Sequence, residues 1–271
     1  MSLKVVLVGC GNMGYAMLAG WLRAGRLTPD EVAVVEPGAE LRSRAAGLGC
    51  AAYATAAELP AEAAPELVVL AVKPQVIRDV TADYRRFAGG GTAFLSVAAG
   101  TGISTFEEIL GGNVAVIRCM PNTPAAIGKG MMVVVGNGRV PAATMEFVKT
   151  LLSASGEVAM IDDEKLMDAV TAVSGSGPAY IFHFIESLTE AGKAAGLPAE
   201  TAALLAMQTT YGAATLAAES RDDPAVLRRQ VTSPNGTTAA ALDVLMGGDR
   251  LKTLLTEAVE AARRRSIELG K

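Results

Sequence analysis

Leu3-Lys4-Val5-Val6-Leu7-Val8-Gly9-Cys10-Gly11-Asn12-Met13-Gly14 is the stretch that decides the fold. An apolar, β-branched run, Leu3–Val8, is followed at once by G-x-G-x-x-G, and Asn12–Ala24 continues as an amphipathic helical segment. Gly9 permits a tight turn. Gly11 lets the backbone approach a pyrophosphate, and Gly14 lets helix and strand pack closely. The anion then sits on free N–H groups at the positive end of the helix, with Asn12 and Met13 in its first turn. A glycine-rich turn that only packs is the plain alternative. The strand before it, the helix after it and a second strand ending in an acid favour a dinucleotide site.

That second strand is Val32–Glu36. Glu36 lies about twenty residues beyond Gly14, where an acid hydrogen-bonds an adenosine ribose diol and repels a 2′-phosphate. Glu36 therefore leans the cofactor toward NADH rather than NADPH. Arg42 and Arg44 follow closely; each is long enough to reach a 2′-phosphate, and a solvated helix face is the simpler reading of both. Further apolar runs fall at Leu67–Val72, Ala93–Val97, Val114–Met120, Met131–Val135 and Glu157–Ile161. Helical segments such as Thr144–Ser153 lie between them, which predicts a doubly wound α/β domain with a parallel sheet buried on both faces.

Residues just past strand ends line the crevice of such a sheet. Here they are Ala71-Val72-Lys73-Pro74, Ala98 within Ser96–Gly100, and Asn122-Thr123 within Arg118–Pro124. Lys73 reads either as a cofactor contact or as a solvated lysine. The small residues around Ala98 admit a flat ring. Pro121 and Pro124 stiffen their turn and fix the polar groups of Asn122 and Thr123.

Composition narrows the function classes. The 271 residues carry 24 Lys and Arg against 28 Asp and Glu, a net charge of −4, with a pI near 5.2. That excludes a strongly basic nucleic-acid binder. Hydrophobic residues at 51% and charged residues at 19% exclude a disordered chain. Mean hydropathy is +0.34, yet the uncharged stretch Val5–Leu22 is broken by Gly9, Gly11, Asn12, Gly14 and Gly20. It makes neither a membrane span nor a signal peptide. Cys10, Cys50 and Cys119 are widely spaced and suit a reducing compartment, so a cytoplasmic protein without a membrane or nucleic-acid partner is expected. A single histidine, His183, leaves no multi-histidine metal site, and no metal is expected.

From Asp163 onward the pattern holds no strand. Helical segments are predicted at Glu164–Val173, Ala179–Ala195, Ala199–Glu219, Pro224–Gln230, Thr237–Met246 and Arg250–Leu269. The predicted organisation is a dinucleotide-binding domain over 1–162 and a helical domain over 163–271. Ala202–Ala218 is apolar or small nearly all round, which suits burial against another subunit; a tight monomeric core is the alternative.

Two loops of this half open helices: Ser174-Gly175-Ser176-Gly177-Pro178 and Ser233-Pro234-Asn235-Gly236-Thr237-Thr238. Their N–H groups and hydroxyls suit a small carboxylate, and helix capping alone is the simpler role. The chain lacks a His–Asp relay, H-E-x-x-H, G-x-S-x-G and a Walker motif. His183, between Phe182 and Phe184, reads as a packed side chain. Hydride transfer to an already protonated imine needs little acid–base chemistry from the protein, since the cofactor carries the difficult step.

At these residues the sequence resembles pyrroline-5-carboxylate reductases over nearly its whole length. The shared segments are Gly9–Gly14, Ala71–Pro74, Arg118–Pro124, Ser174–Ala179 and Val231–Thr238, the last followed by Ala241, Leu242 and Leu245-Met246. The resemblance implies reduction of (S)-1-pyrroline-5-carboxylate to L-proline with NADPH or NADH. It implies a Rossmann domain followed by an all-α dimerisation domain, assembled as a dimer or as a pentamer of dimers. It places Thr238 on the ring nitrogen as the catalytic contact. Ser233, Gly236 and Thr237 hold the carboxylate, contributed by the partner subunit. Ser174, Gly175 and Ser176 lie by the substrate, Asn122 and Thr123 flank the nicotinamide, and Lys73 and Pro74 border the ribose. Two departures stand out: Glu36 where relatives often carry small or hydroxyl residues, and Asn235 for a frequent glycine, which Asn replaces because it accepts the left-handed conformation.

Two other readings compete. A β-hydroxyacid dehydrogenase-like enzyme needs a catalytic lysine; Lys165 and Lys193 lie near the right loops but lack the accompanying Asn. A non-catalytic nucleotide sensor of the same fold has no need of the Ser233–Thr238 loop.

Overall fold

The computed structural model describes residues 3–270. Its first half alternates strands and helices: β1 (Val5–Val8), α1 (Asn12–Arg23), β2 (Val32–Val35), α2 (Ala39–Ala46), β3 (Ala51–Tyr53), β4 (Leu67–Leu70), α3 (Ile77–Ala82), β5 (Ala93–Ser96), α4 (Ile103–Leu110), β6 (Ala115–Met120), β7 (Gly130–Gly136), α5 (Ala142–Leu152) and β8 (Gly156–Met160). All eight strands join one sheet in the order β3-β2-β1-β4-β5-β6-β7-β8. Val5 of β1 faces Val32 on one side and Leu67 on the other, both in parallel register. The topological switch lies between β1 and β4, and both the glycine turn and Ala71 leave the sheet there.

Burial on both faces explains the unbroken Val and Leu runs. Val5 and Leu7 pack with Met17, Leu18 and Trp21, while Val6 and Val8 pack with Phe94 and Phe106 on the other face. Every residue of β1, β2, β4 and β5 is buried.

The sheet departs from the all-parallel expectation once. β7 runs antiparallel to β6, pairing Arg118 with Val135. The connection, residues 121–129, is shorter than the roughly dozen residues a parallel crossover needs. β3 was not predicted. Its Ala-Ala-Tyr is short, lies at an edge and carries little strand preference, yet it pairs in parallel with β2.

The chain divides into two compact units. The first runs through Ser176 and includes the stretch from Ala262; the second is Gly177–Ala261. This differs from the predicted division after Asp162. The segment that follows β8, with α6 (Met167–Val170) and a π-helical turn at Thr171–Gly175, buries Met167 and Ala172 and clusters with the sheet. The sequence switches to helix before it leaves the sheet's core.

The second unit holds α7 (Gly177–Ala194), α8 (Ala199–Ser220), α9 (Pro224–Gln230), α10 (Thr237–Met246) and most of α11 (Arg250–Leu269). α7 and α8 approach closely: a Cβ on Gly192 would stand 3.2 Å from the Ala202 Cβ. Among the described residues of this unit, only Ala202 and Ala206 are buried apolar side chains, while Phe182, Leu204 and Tyr211 are 59, 67 and 64% exposed. His183 is exposed as well and meets Glu186 at 3.2 Å. The packed histidine expected from its aromatic neighbours is therefore incorrect for the single chain, because its side chain stands 80% exposed on α7.

Candidate active site

The glycine turn is built as its spacing requires. Gly9 has φ +87°, and a Cβ there would lie 2.8 Å from the Ala71 carbonyl oxygen. A Cβ on Gly14 would overlap the Gly9 carbonyl oxygen. Gly11 differs: a Cβ would meet nothing within 4 Å. The first and third glycines serve the protein's own packing, and the second keeps space open in front of the α1 N-terminus.

That space belongs to a cavity of about 510 Å³ whose lining includes Gly9, Gly11, Glu36, Ala71, Val72 and Lys73. Its volume lies within the range that buries small ligands, and the open Gly11 floor fits a pyrophosphate. Asn12, Met13 and Gly14 lie in α1 behind the lining. Pro74, which opens a short 3₁₀ turn after Lys73, is also outside it, as are Ala98 and Thr123.

Glu36, the residue after β2, is almost fully buried. Its Oε2 accepts from the Cys10 N–H at 2.7 Å and its Oε1 from the Gly38 N–H at 2.8 Å. One carboxylate thus ties the glycine turn to the chain leaving β2. Burial and the nearby Glu36 charge push the Cys10 thiol up to about 11. Arg42 Nη1 donates to the carbonyl oxygens of Glu36 and Pro37 at 2.8 and 2.9 Å. The Arg44 guanidinium lies 4.0 Å over the Tyr15 ring. Neither arginine lines the cavity.

Sequence reasoning missed Thr55, Asp83 and Tyr84, which also line it. Thr55 follows the unpredicted β3. Burial pushes the Tyr84 phenol well above its ordinary range.

On the other side of the switch, Asn122 connects two predicted site segments. Its Oδ1 accepts from the Met131 N–H at 2.9 Å, and its Nδ2 donates to the Ser174 carbonyl oxygen at 3.2 Å. Gly175 faces Met120: an added Cβ would be 3.3 Å from Sδ. The 174–178 segment is not the open loop its composition predicts. Ser174 and Gly175 close the π-helical turn that begins at Thr171, Gly177 and Pro178 open α7, and the Ser176 N–H donates to the Thr171 carbonyl oxygen at 2.8 Å. The hydroxyls of Ser174 and Ser176, rather than the Ser176 N–H, are what this turn offers a ligand.

Within the second unit, residues 233–238 form a true loop. Asn235 adopts φ +58°, the left-handed conformation that Asn tolerates. The Gly236 N–H donates to the Ser233 carbonyl oxygen at 3.1 Å. Gly236 caps α10 without a side-chain cap bond, and Thr237 and Thr238 form its first turn. Their N–H groups have no partner within the helix, so the loop presents donors and hydroxyls together. Among the described residues no cluster of His, Cys, Asp and Glu could hold a metal ion. Lys193 pairs with Glu190 at 2.9 Å.

Comparison with known proteins supplies the family. A model described as pyrroline-5-carboxylate reductase dimerisation matches residues 164–269, and one described as NADP oxidoreductase coenzyme F420-dependent matches 4–100. The pyrroline-5-carboxylate reductase of Pseudomonas aeruginosa is 42% identical, over 98% of this chain and 97% of its own. A solved pyrroline-5-carboxylate reductase from Coxiella burnetii superposes with a TM-score of 0.93 at 32% identity, over 100% of both chains. One from Plasmodium falciparum, solved with NADP bound, gives 0.85 at 29% identity over 99% of this chain and 98% of its own. With its glycine turn, its helical half and this identity along its whole length, the chain belongs to the pyrroline-5-carboxylate reductase family.

Proposed function

We propose that this enzyme reduces (S)-1-pyrroline-5-carboxylate to L-proline. The observation that carries the reading is the open floor at Gly11 inside the cavity at the sheet's switch point, in a chain of this family. The reduced nicotinamide, when bound, supplies a hydride for the imine carbon. Gly9, Gly11 and the α1 N-terminus hold the pyrophosphate; Glu36 takes the ribose diol; Lys73 and Pro74 border the ribose. Asn122 and Thr123 flank the nicotinamide. Because both ends of the Asn122 amide are bonded within the protein, it orders the turn rather than competing for ligand.

The chain's second task is to orient the imine. Thr238 hydrogen-bonds the ring nitrogen. Ser233 and Thr237 bind the carboxylate through their hydroxyls and the Thr237 N–H, and Gly236 shapes their loop through its own bond to the Ser233 carbonyl oxygen. Orientation of this kind is what a reaction without an acid–base pair requires of the protein. Glu36 favours NADH: its charge repels a 2′-phosphate, while Arg42 Nη1 is turned to the Glu36 and Pro37 carbonyl oxygens and Arg44 lies over Tyr15.

The exposed faces of α7, α8 and α10 support a homodimer as the minimum assembly. A unit that buries only Ala202 and Ala206 and exposes Phe182, Leu204 and Tyr211 gains its core from a second copy. The functional unit is a homodimer, with a pentamer of dimers as the larger assembly the family resemblance implies. Three unpaired, buried cysteines accord with a cytoplasmic setting. Among the described residues no helix is long and apolar enough to cross a membrane.

Steady-state consumption of NADH and of NADPH with pyrroline-5-carboxylate tests the reading. Turnover with proline formation, favouring NADH, is expected. No turnover with either, in protein that binds cofactor, refutes it.

A further inference from the structure

Two acidic side chains in the segment after β8 hold the turn that follows β5. Glu164 Oε1 accepts from the N–H of Ile103, the first residue of α4, at 2.7 Å. The same oxygen accepts from Arg118 Nη1 at 2.7 Å. Arg118 is only 7% exposed and stands opposite Ser96 in the β5–β6 register. Ser96 in turn accepts the Ala98 N–H on its Oγ at 3.2 Å. The turn over 97–102 is therefore fixed at its entry by Ser96 and at its exit by Glu164.

The end of the chain fixes its middle. Asp168 Oδ1 accepts from Ser266 Oγ at 2.6 Å, and Ser266 is buried. Just beyond, Gly270 lies backbone to backbone on Gly100: a Cβ on Gly100 would be 3.2 Å from the Gly270 nitrogen. Gly100 has φ +74°, so both its conformation and its neighbour require glycine. Arg118, Glu164, Asp168 and Ser266 border one polar cavity of about 240 Å³, and none of them lines the nucleotide cavity.

Arg118 is buried and the Glu164 side chain is 32% exposed, so desolvation offsets part of their attraction; what the pair supplies here is a fixed place for the Ile103 N–H and the turn before it. We infer that Glu164 is a positioning residue for hydride transfer: with Asp168 and the segment around Ser266, it holds the turn at 97–102, whose small residues around Ala98 admit the nicotinamide ring. This rests on the proposed nicotinamide-dependent reaction. The brace acts on the ring end of the cofactor and leaves the adenosine end alone.

Glu164→Gln in the full-length protein separates the two ends. Binding of NADH, followed by nicotinamide fluorescence, is compared with binding of ADP, which fills only the adenosine and pyrophosphate half. NADH affinity is expected to fall about tenfold, the scale of one weakened charge-assisted hydrogen bond, with ADP affinity held within about twofold. Equal weakening of both, or no change in either, overturns the proposal. If Glu164→Gln does not fold, Ser266→Ala and Asp168→Ala carry the same comparison, and Asp168→Asn, which keeps the accepting oxygen, is expected to retain the wild-type ratio. The same NADH-to-ADP ratio for Asp168→Ala and Asp168→Asn overturns the brace. Lack of turnover with the imine overturns the proposed reaction alone, because the binding ratio needs no substrate. A wild-type protein that binds neither NADH nor ADP overturns both.

Discussion

Gly11→Ala separates a glycine kept for a ligand from one kept for the fold. Gly11 has φ −64° and ψ −166°, which alanine adopts freely, and its Cβ would stand clear of every atom within 4 Å. Alanine narrows the unfolded ensemble, worth about 0.4–1 kcal/mol of added stability. As the residue before α1, it also loses the glycine advantage at a helix cap, roughly 0.5–1 kcal/mol. The two nearly cancel, so Tm is expected to move by no more than about 4 °C. Cofactor binding moves far more. The methyl stands where the pyrophosphate must approach, and the Kd is expected to rise at least about 100-fold, or ~2.7 kcal/mol. Calorimetric titration with NADH beside a thermal melt measures both. Retained affinity refutes the cradle. A large fall in Tm with proportionate loss of binding refutes the claim that this glycine serves only the ligand. Gly14→Ala is the contrasting case, because its Cβ overlaps the Gly9 carbonyl oxygen, and it is expected to fail in the melt first.

Thr238→Ala is expected to lower kcat about 100-fold, the scale of one lost transition-state hydrogen bond, with the NADH Kd unchanged; stopped-flow reduction with saturating imine checks it. Glu36→Ser removes the charge that repels a 2′-phosphate, so the NADPH-to-NADH ratio of kcat/KM should rise at least about tenfold; an unchanged ratio shows that Glu36 serves only the Cys10 and Gly38 N–H groups. Phe182→Asp puts a charge on the exposed α7 face and is expected to dissociate the dimer in sedimentation experiments, whereas an unaltered mass would place the interface elsewhere. Burial raises all three thiols above their ordinary 9.0, so the native protein should not react with a thiolate-directed disulfide reagent at pH 8. The folded state also keeps these protons when the unfolded chain releases them, so stability falls as pH rises from 9 toward the Cys10 value of about 11.

The nucleotide half was legible because its signals are local. Val5–Gly14 names a strand, a turn and a helix in one run, and the structure supplies each. β3 and the Thr55 it delivers were illegible, since Ala51-Ala52-Tyr53 gains its strand only from pairing with β2. The reversal at β7 depends on the length of a connection rather than on composition. The Ser174–Pro178 segment misled in a different way. Its glycines and proline read as a loop, but the backbone closes a π-helical turn whose Ser176 N–H is already taken. His183 misled because its neighbours in sequence are aromatic, whereas its side chain stands exposed beside Glu186. The roles of Glu164 and Ser266 rest on pairs 61 and 98 residues apart, and no local pattern announces contacts at that separation.

Deuterium transfer tests the central claim most directly. Reduction of pyrroline-5-carboxylate with NADH carrying deuterium on the transferred position should yield proline with one deuterium, on the ring carbon bonded to nitrogen and remote from the carboxylate. Proline without deuterium, deuterium at another carbon, or no proline from a protein that binds NADH would contradict hydride transfer to the imine.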